Sequence, residues 1–111
     1  MDLPVVVNVK KAELNKRNFS DFMAWNEVEG NLYIGRNMDF YVKGTKKSKW
    51  CNPFSVKKYG LDECLRLYEE HVRKNLIDSL DELKDKKELG CWCKPNKCHG
   101  DVLLKLLAEK K

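Results

Sequence analysis

No stretch of this chain approaches the roughly 20 consecutive apolar residues that a membrane-spanning helix needs, which argues against a membrane partner. The opening Met1-Asp2-Leu3-Pro4-Val5-Val6-Val7 has neither the basic segment nor the small-residue cleavage site of a secretory signal. Both absences point to the cytoplasm, or to the host cytoplasm if the protein is viral. Such a compartment is reducing, and the cysteines number five, an odd count. They therefore read as thiols or metal ligands rather than as a disulfide framework. Acidic residues are missing altogether from Phe40 to Leu61, where six lysines fall: Lys43, Lys46, Lys47, Lys49, Lys57 and Lys58. That gap excludes local charge balance. It leaves either a solvated basic surface or a positive field suited to phosphate or nucleic acid.

What is present suits a soluble globular fold. The chain has 111 residues, 42% apolar and 35% charged, with a formal net charge of +5. That length predicts one domain over residues 1–111, large enough for a core without disulfide staples.

Val5-Val6-Val7-Asn8-Val9 is β-branched and continuous, the pattern of a strand buried on both faces. Residues 10–18 are polar and read as a loop. Ser20-Asp21 offers a cap for a short helix through Phe22, Met23 and Trp25, ending near Gly30. Residues 31–36 predict a second strand and residues 40–42 a short further one. The clearest helix spans residues 61–77, where Leu61, Leu65, Tyr68, Val72 and Leu76 lay down one apolar stripe. Ser79 and Glu82 have the spacing of a capping box and predict another short helix. Residues 89–93 read as a strand and residues 101–109 as the last helix. This alternation predicts a small Rossmann-like, three-layer α/β domain with a short, mainly parallel sheet. In such sheets ligands bind beyond the carboxyl ends of the strands. That rule selects the loops after Arg36 and after Cys93.

The second of these loops concentrates the reactive side chains. Leu89-Gly90-Cys91-Trp92-Cys93-Lys94-Pro95-Asn96-Lys97-Cys98-His99-Gly100-Asp101 holds three cysteines and one of the two histidines. Cys91 and Cys93, two apart on a strand, share a face. Cys98 and His99 precede a helix, where unpaired N–H groups and the dipole favour a thiolate or a bound anion. Cys98, His99 and Asp101 are the candidate catalytic residues, and Gly100 would let a ligand approach the backbone. Cys91, Cys93, Cys98 and His99 also supply the atoms of a zinc site, although their spacing departs from the usual paired knuckles. Alternatively, Cys91 and Cys93 are simply small core residues.

Arg36, at a strand end, has the fork-shaped donor that grips carboxylate or phosphate. In Trp50-Cys51-Asn52-Pro53-Phe54, proline stiffens a loop carrying two aromatics beside lysines. Trp50, Asn52 and Phe54 could shape or stack on an organic ligand, or the rings could plug the core beneath the loop. His71 receives no role.

Taken together, Tyr33-Ile34-Gly35-Arg36, Trp50-Cys51-Asn52-Pro53-Phe54, Tyr68 and the run from Gly90-Cys91-Trp92-Cys93 to Cys98-His99-Gly100-Asp101-Val102-Leu103 resemble a known family. It comprises small proteins of bacteria, phages and large DNA viruses catalogued as a domain of unknown function, the 4326 family. The resemblance runs from about Val5 to Leu107. It implies a compact Rossmann-like α/β domain with its site built from these motifs, and it carries no established activity. Residues 11–30 form a longer link than is usual in the family, and Cys51 stands where a small residue such as glycine is expected. The ending also resembles another α/β group with a Cys-His pair before its last helix, a likeness of fold only.

The leading expectation is a domain that binds a nucleotide or similar phosphorylated ligand and acts as a hydrolase or transferase, with no cofactor. Two alternatives stand beside it: a non-catalytic, zinc-stabilised interaction module, and a nucleic-acid-binding protein. The sequence is silent on oligomeric state.

Overall fold

The computed structural model describes residues 3–92 and 98–109. Three strands, β1 (Val5–Asn8), β2 (Asn31–Tyr33) and β3 (Glu88–Cys91), form one sheet in the order β1-β3-β2. Both pairings are parallel, with Val6 and Leu32 each opposite Leu89, and Val7 and Tyr33 each opposite Gly90. The last strand in sequence is thus the central one, flanked by the two earlier strands.

Strand alternation divides the core in two. Val6, Ile34, Leu89 and Cys91 face one side, where they meet helices α4 (Leu61–Asn75) and α5 (His99–Glu109) and a 3-10 helix over Ile77–Leu83. Val9 and Tyr33 join the opposite cluster with Leu14 and with Phe22 and Trp25 of α2 (Phe22–Asn26). Helical layers on both faces make this a small α/β fold. The valine strand expected to be buried on both faces lies at the sheet edge instead, with Val6 buried but Val5 60% exposed. Among the described residues, no helix is long and apolar enough to cross a membrane.

Several local expectations hold and several are corrected. Asp21 caps α2, its carboxylate accepting from Ala24 N at 2.9 Å. Residues 10–18 are not a loop: α1 (Lys11–Lys16) forms there because Leu14 is fully buried and anchors it to the second cluster. Just past that helix, the left-handed backbone of Asn18 (φ 71°) lets Phe19 N return to Leu14 O at 3.0 Å. Residues 40–42 form no strand; they lie in a turn outside the sheet, and Phe40 and Tyr41 are exposed. A one-turn helix α3 (Val56–Tyr59), capped by Ser55, precedes α4. The capping box at Ser79 and Glu82 is not made. Ile77–Leu83 winds as a 3-10 helix with no side-chain cap, held by the burial of Leu80 and Leu83. The last helix begins at His99, two residues earlier than its apolar periodicity indicates.

Candidate functional site

Three chain exits meet at the carboxyl edge of the sheet. After β1, Asn8 Oδ1 accepts from Lys10 N at 2.8 Å and turns the chain out of the strand. After β2, Ile34 N still bonds Gly90 O at 2.9 Å, and the chain then leaves through Gly35 and Arg36. The Tyr33 hydroxyl ties these exits together. It donates to Arg36 O at 2.6 Å and accepts from Trp92 Nε1, just past β3, at 2.7 Å. Burial, above all, pushes the Tyr33 phenol above its ordinary value, so it stays a neutral donor.

The start of α5 is fastened to the same edge. His99 Nε2 lies 2.8 Å from Ile34 O, and a carbonyl can only accept, so Nε2 carries the proton. The other ring nitrogen, Nδ1, is then a bare lone pair, 3.6 Å from Cys98 Sγ. Burial pushes the His99 pKa below its ordinary value, outweighing the bond to Ile34, so the imidazole is neutral at neutral pH. Tyr68 of α4 packs edge-on against the ring, with centroids 5.2 Å apart.

Cys98 occupies the capping position of α5 in a reciprocal arrangement. Its sulfur accepts from Gly100 N at 3.4 Å, and its own N–H donates to Asp101 Oδ2 at 3.1 Å. The Asp101 half is that of a capping box, while the cysteine sulfur takes the N–H two residues on rather than three. Cys98 Sγ also lies 3.1 Å from Cys91 Sγ at the end of β3.

A cleft of about 750 Å3 opens over this edge, with Cys98 and His99 in its wall. Lys10, Arg36 and Lys57 bring positive charge to it, and Phe54, Leu61 and Trp92 supply apolar surface. Among the described lining residues none is acidic. Helix α5 also points its positive end toward this edge.

Of the residues singled out from sequence, Arg36, Asn52, Phe54, Cys98 and His99 meet at this cleft. Asn52 is also committed locally: Oδ1 accepts from Phe54 N at 2.9 Å, and Nδ2 donates to Cys64 Sγ at 3.1 Å. Trp50 lies apart from the cleft as a buried plug, its carbonyl accepting from Tyr68 Oη at 2.6 Å. Gly100 turns toward the sheet rather than the cleft. Asp101 holds the backbone of Cys98. Cys93, Lys94 and Lys97 lie outside the described residues. Among the described residues, no group of three or more His, Cys, Asp or Glu side chains is arranged to hold a metal ion. Sequence reasoning overlooked Lys10 and the Tyr33 clamp. Lys10 is within reach of the strand-end rule, since it lies two residues past β1, whereas nothing local marks Tyr33 as a clamp.

Gly100 is a packing requirement. A Cβ there would lie 2.8 and 2.9 Å from the two Val6 methyls and 3.1 Å from Ile34 Cδ1. Gly100→Ala is therefore expected to destabilise the fold by about 1–3 kcal/mol, as overpacking of a tight helix–sheet contact does. Urea unfolding measures it, and an unchanged midpoint would mean that α5 has room to move off the sheet.

The family described as Domain of unknown function (DUF4326) matches residues 18–109. An uncharacterized protein of Acanthamoeba polyphaga mimivirus is 35% identical over 122 residues, covering 99% of this chain and 85% of that protein. No solved structure matches the chain.

Proposed function

The chain belongs to the DUF4326 family, and from that premise we propose that it binds a small phosphorylated ligand such as a nucleotide and processes it as a hydrolase or transferase. One observation carries the reading: a cleft with Lys10, Arg36 and Lys57 around it has a thiol and a neutral imidazole side by side in its wall. Arg36 has no carboxylate partner among the described residues, so its fork is available for phosphate. Phe54 offers a face for the organic part of the ligand.

In this reading Cys98 Sγ attacks the electrophilic atom of the ligand while its proton passes to His99 Nδ1. His99 then returns that proton to the leaving group, and water or a second substrate releases the product from sulfur. Ile34 O fixes the tautomer throughout. Asp101 and Gly100 are positioning residues: the first holds the backbone of Cys98, and the second lets α5 sit close enough to the sheet for His99 to reach Ile34.

Calorimetry with ADP as the probe tests the binding claim. Binding is expected, and Arg36→Ala should weaken it by about 10-fold or more, because hydrogen bonds to charged groups contribute about 1.5–3 kcal/mol. A folded protein that takes up neither ADP nor pyrophosphate, or an Arg36→Ala variant that binds ADP as tightly as the wild type, would overturn the reading. A single-stranded oligonucleotide is the second probe. Phe40 (93% exposed) and Tyr41 (78%) stand edge to face in a loop followed by Lys43, Lys46 and Lys47. Strong oligonucleotide binding that falls steeply with salt, without ADP binding, would favour the nucleic-acid reading instead.

A further inference from the structure

The contact between Cys91 and Cys98 is not needed by the chemistry above. One thiol closes β3 and the other opens α5, so their meeting is a product of the fold and not of neighbouring positions in the chain. Their sulfurs are 3.1 Å apart, and both residues are buried. A disulfide requires about 2.05 Å, so closure calls for an approach of only about 1 Å. Among the described residues this is the one pair of thiols in contact. Cys64 instead donates to Phe54 O at 3.3 Å and accepts from Asn52.

We propose that Cys91 and Cys98 form a reversible dithiol–disulfide couple that responds to hydroperoxides. The two thiols have different access. Cys98, only 1% exposed, borders the cleft, so a small oxidant approaches its sulfur from that side, whereas Cys91, fully buried, is not among the residues lining it. His99 Nδ1 lies beside the Cys98 sulfur to take its proton.

In the first step the Cys98 thiolate attacks one peroxide oxygen and the O–O bond breaks. Sulfur gives up two electrons and becomes a sulfenic acid, while the other oxygen leaves, protonated, as alcohol or water. In the second step Cys91 sulfur attacks the sulfenic sulfur. The S–S bond forms, the S–OH bond breaks, and hydroxide takes the Cys91 proton to leave as water. Two equivalents of a small thiol reverse the sequence by exchange and are themselves oxidised to a disulfide. Closure ties up Cys98 and spares it from irreversible oxidation. The bond rests on the thiol pair alone, and only its consequence for turnover rests on the reading of Cys98 as nucleophile.

The test uses the full chain, fully reduced, freed of reductant and treated with equimolar hydrogen peroxide before alkylation. Intact mass is expected to fall by two hydrogens, peptide mapping to join Cys91 to Cys98, and dithiothreitol to restore both free thiols. Cys91→Ser, with Cys91→Ala as the alternative should serine in this apolar position impair folding, should instead add oxygen at Cys98. Three wild-type outcomes would overturn the proposal: no mass change, oxygen added at Cys98 with Cys91 still alkylated, or a bridge to Cys93, Cys51 or Cys64. The mass shift is independent of ADP binding, so failure of either reading leaves the other standing.

Discussion

Replacing His99 by glutamine is expected to slow alkylation of Cys98 by iodoacetamide at pH 7 by about 100-fold or more, the usual scale of general-base assistance. The substitution keeps what is structural. A glutamine amide can still donate to Ile34 O, so the tie between β2 and α5 has a replacement. What disappears is the bare Nδ1, 3.6 Å from Cys98 Sγ. The pH profile separates a role in the chemistry from a role in the fold. Burial lowers the His99 pKa from its ordinary 6.5, so the neutral base predominates at pH 6.5 and above. Wild-type reactivity should therefore hold at neutral pH and fall as pH drops through the lowered His99 pKa. In His99→Gln the rate should climb through the alkaline range in which unassisted thiols ionise. Peptide mapping assigns the label to Cys98 rather than to Cys51 or Cys64. A variant with the wild-type rate and profile would remove His99 from the chemistry and leave it a core histidine.

Trp25→Ala is expected to cost about 3–5 kcal/mol of stability, the range for truncating a large buried aromatic. The ring is fully buried and lies directly over Gly90 in the central strand, where a Cβ would come within 2.5 Å of it. It packs on Phe22 with centroids 5.7 Å apart, and its indole N–H donates to Glu88 Oε1 at 2.8 Å. Arg17 grips the same carboxylate with two bonds of 3.0 and 2.6 Å. Burial alone would push the Glu88 carboxyl up, but the bonds from Arg17 and Trp25 outweigh it and hold the group below its usual value. The sign follows: this contribution is complete above the ordinary carboxylate range and is lost as pH falls through the lowered Glu88 pKa. Trp25→Phe retains much of the packing and loses the hydrogen bond. It should cost about 1–3 kcal/mol, the scale of leaving a partly buried acceptor short of a donor. Urea unfolding of both variants at pH 7 and pH 4 reads the packing and the linkage separately. A Trp25→Ala cost below about 1 kcal/mol would mean that the second cluster is not a true core.

Some of this site was legible from local pattern. Arg36 stood out because it followed a predicted strand, and Cys98-His99 because they preceded a predicted helix. Both reach the cleft. Trp50 and Phe54 could not be told apart in the same way. They share a loop and a chemistry, and what separates them is the Tyr68 hydroxyl reaching the Trp50 carbonyl from α4. Residues 10–18 were misread for a related reason. Their one apolar anchor, Leu14, gives no periodicity, and helix α1 forms because that single side chain finds a cluster built largely from later residues.

The sequence by itself determined the element types wherever an apolar period was long. The valine run gave β1 and the Leu61–Asn75 stripe gave α4. It also determined that the cysteine-rich loop joins a strand to a helix. Only the tertiary structure decided that β3, last in the chain, lies between β1 and β2. It likewise decided that Gly90 and Gly100 make room for Trp25 and for Val6, and that Cys91 meets Cys98. The physical reason is that periodicity records which face of an element is apolar, while burial is non-directional and does not name the partner. Partners are chosen by strand register and close packing, which local sequence does not contain.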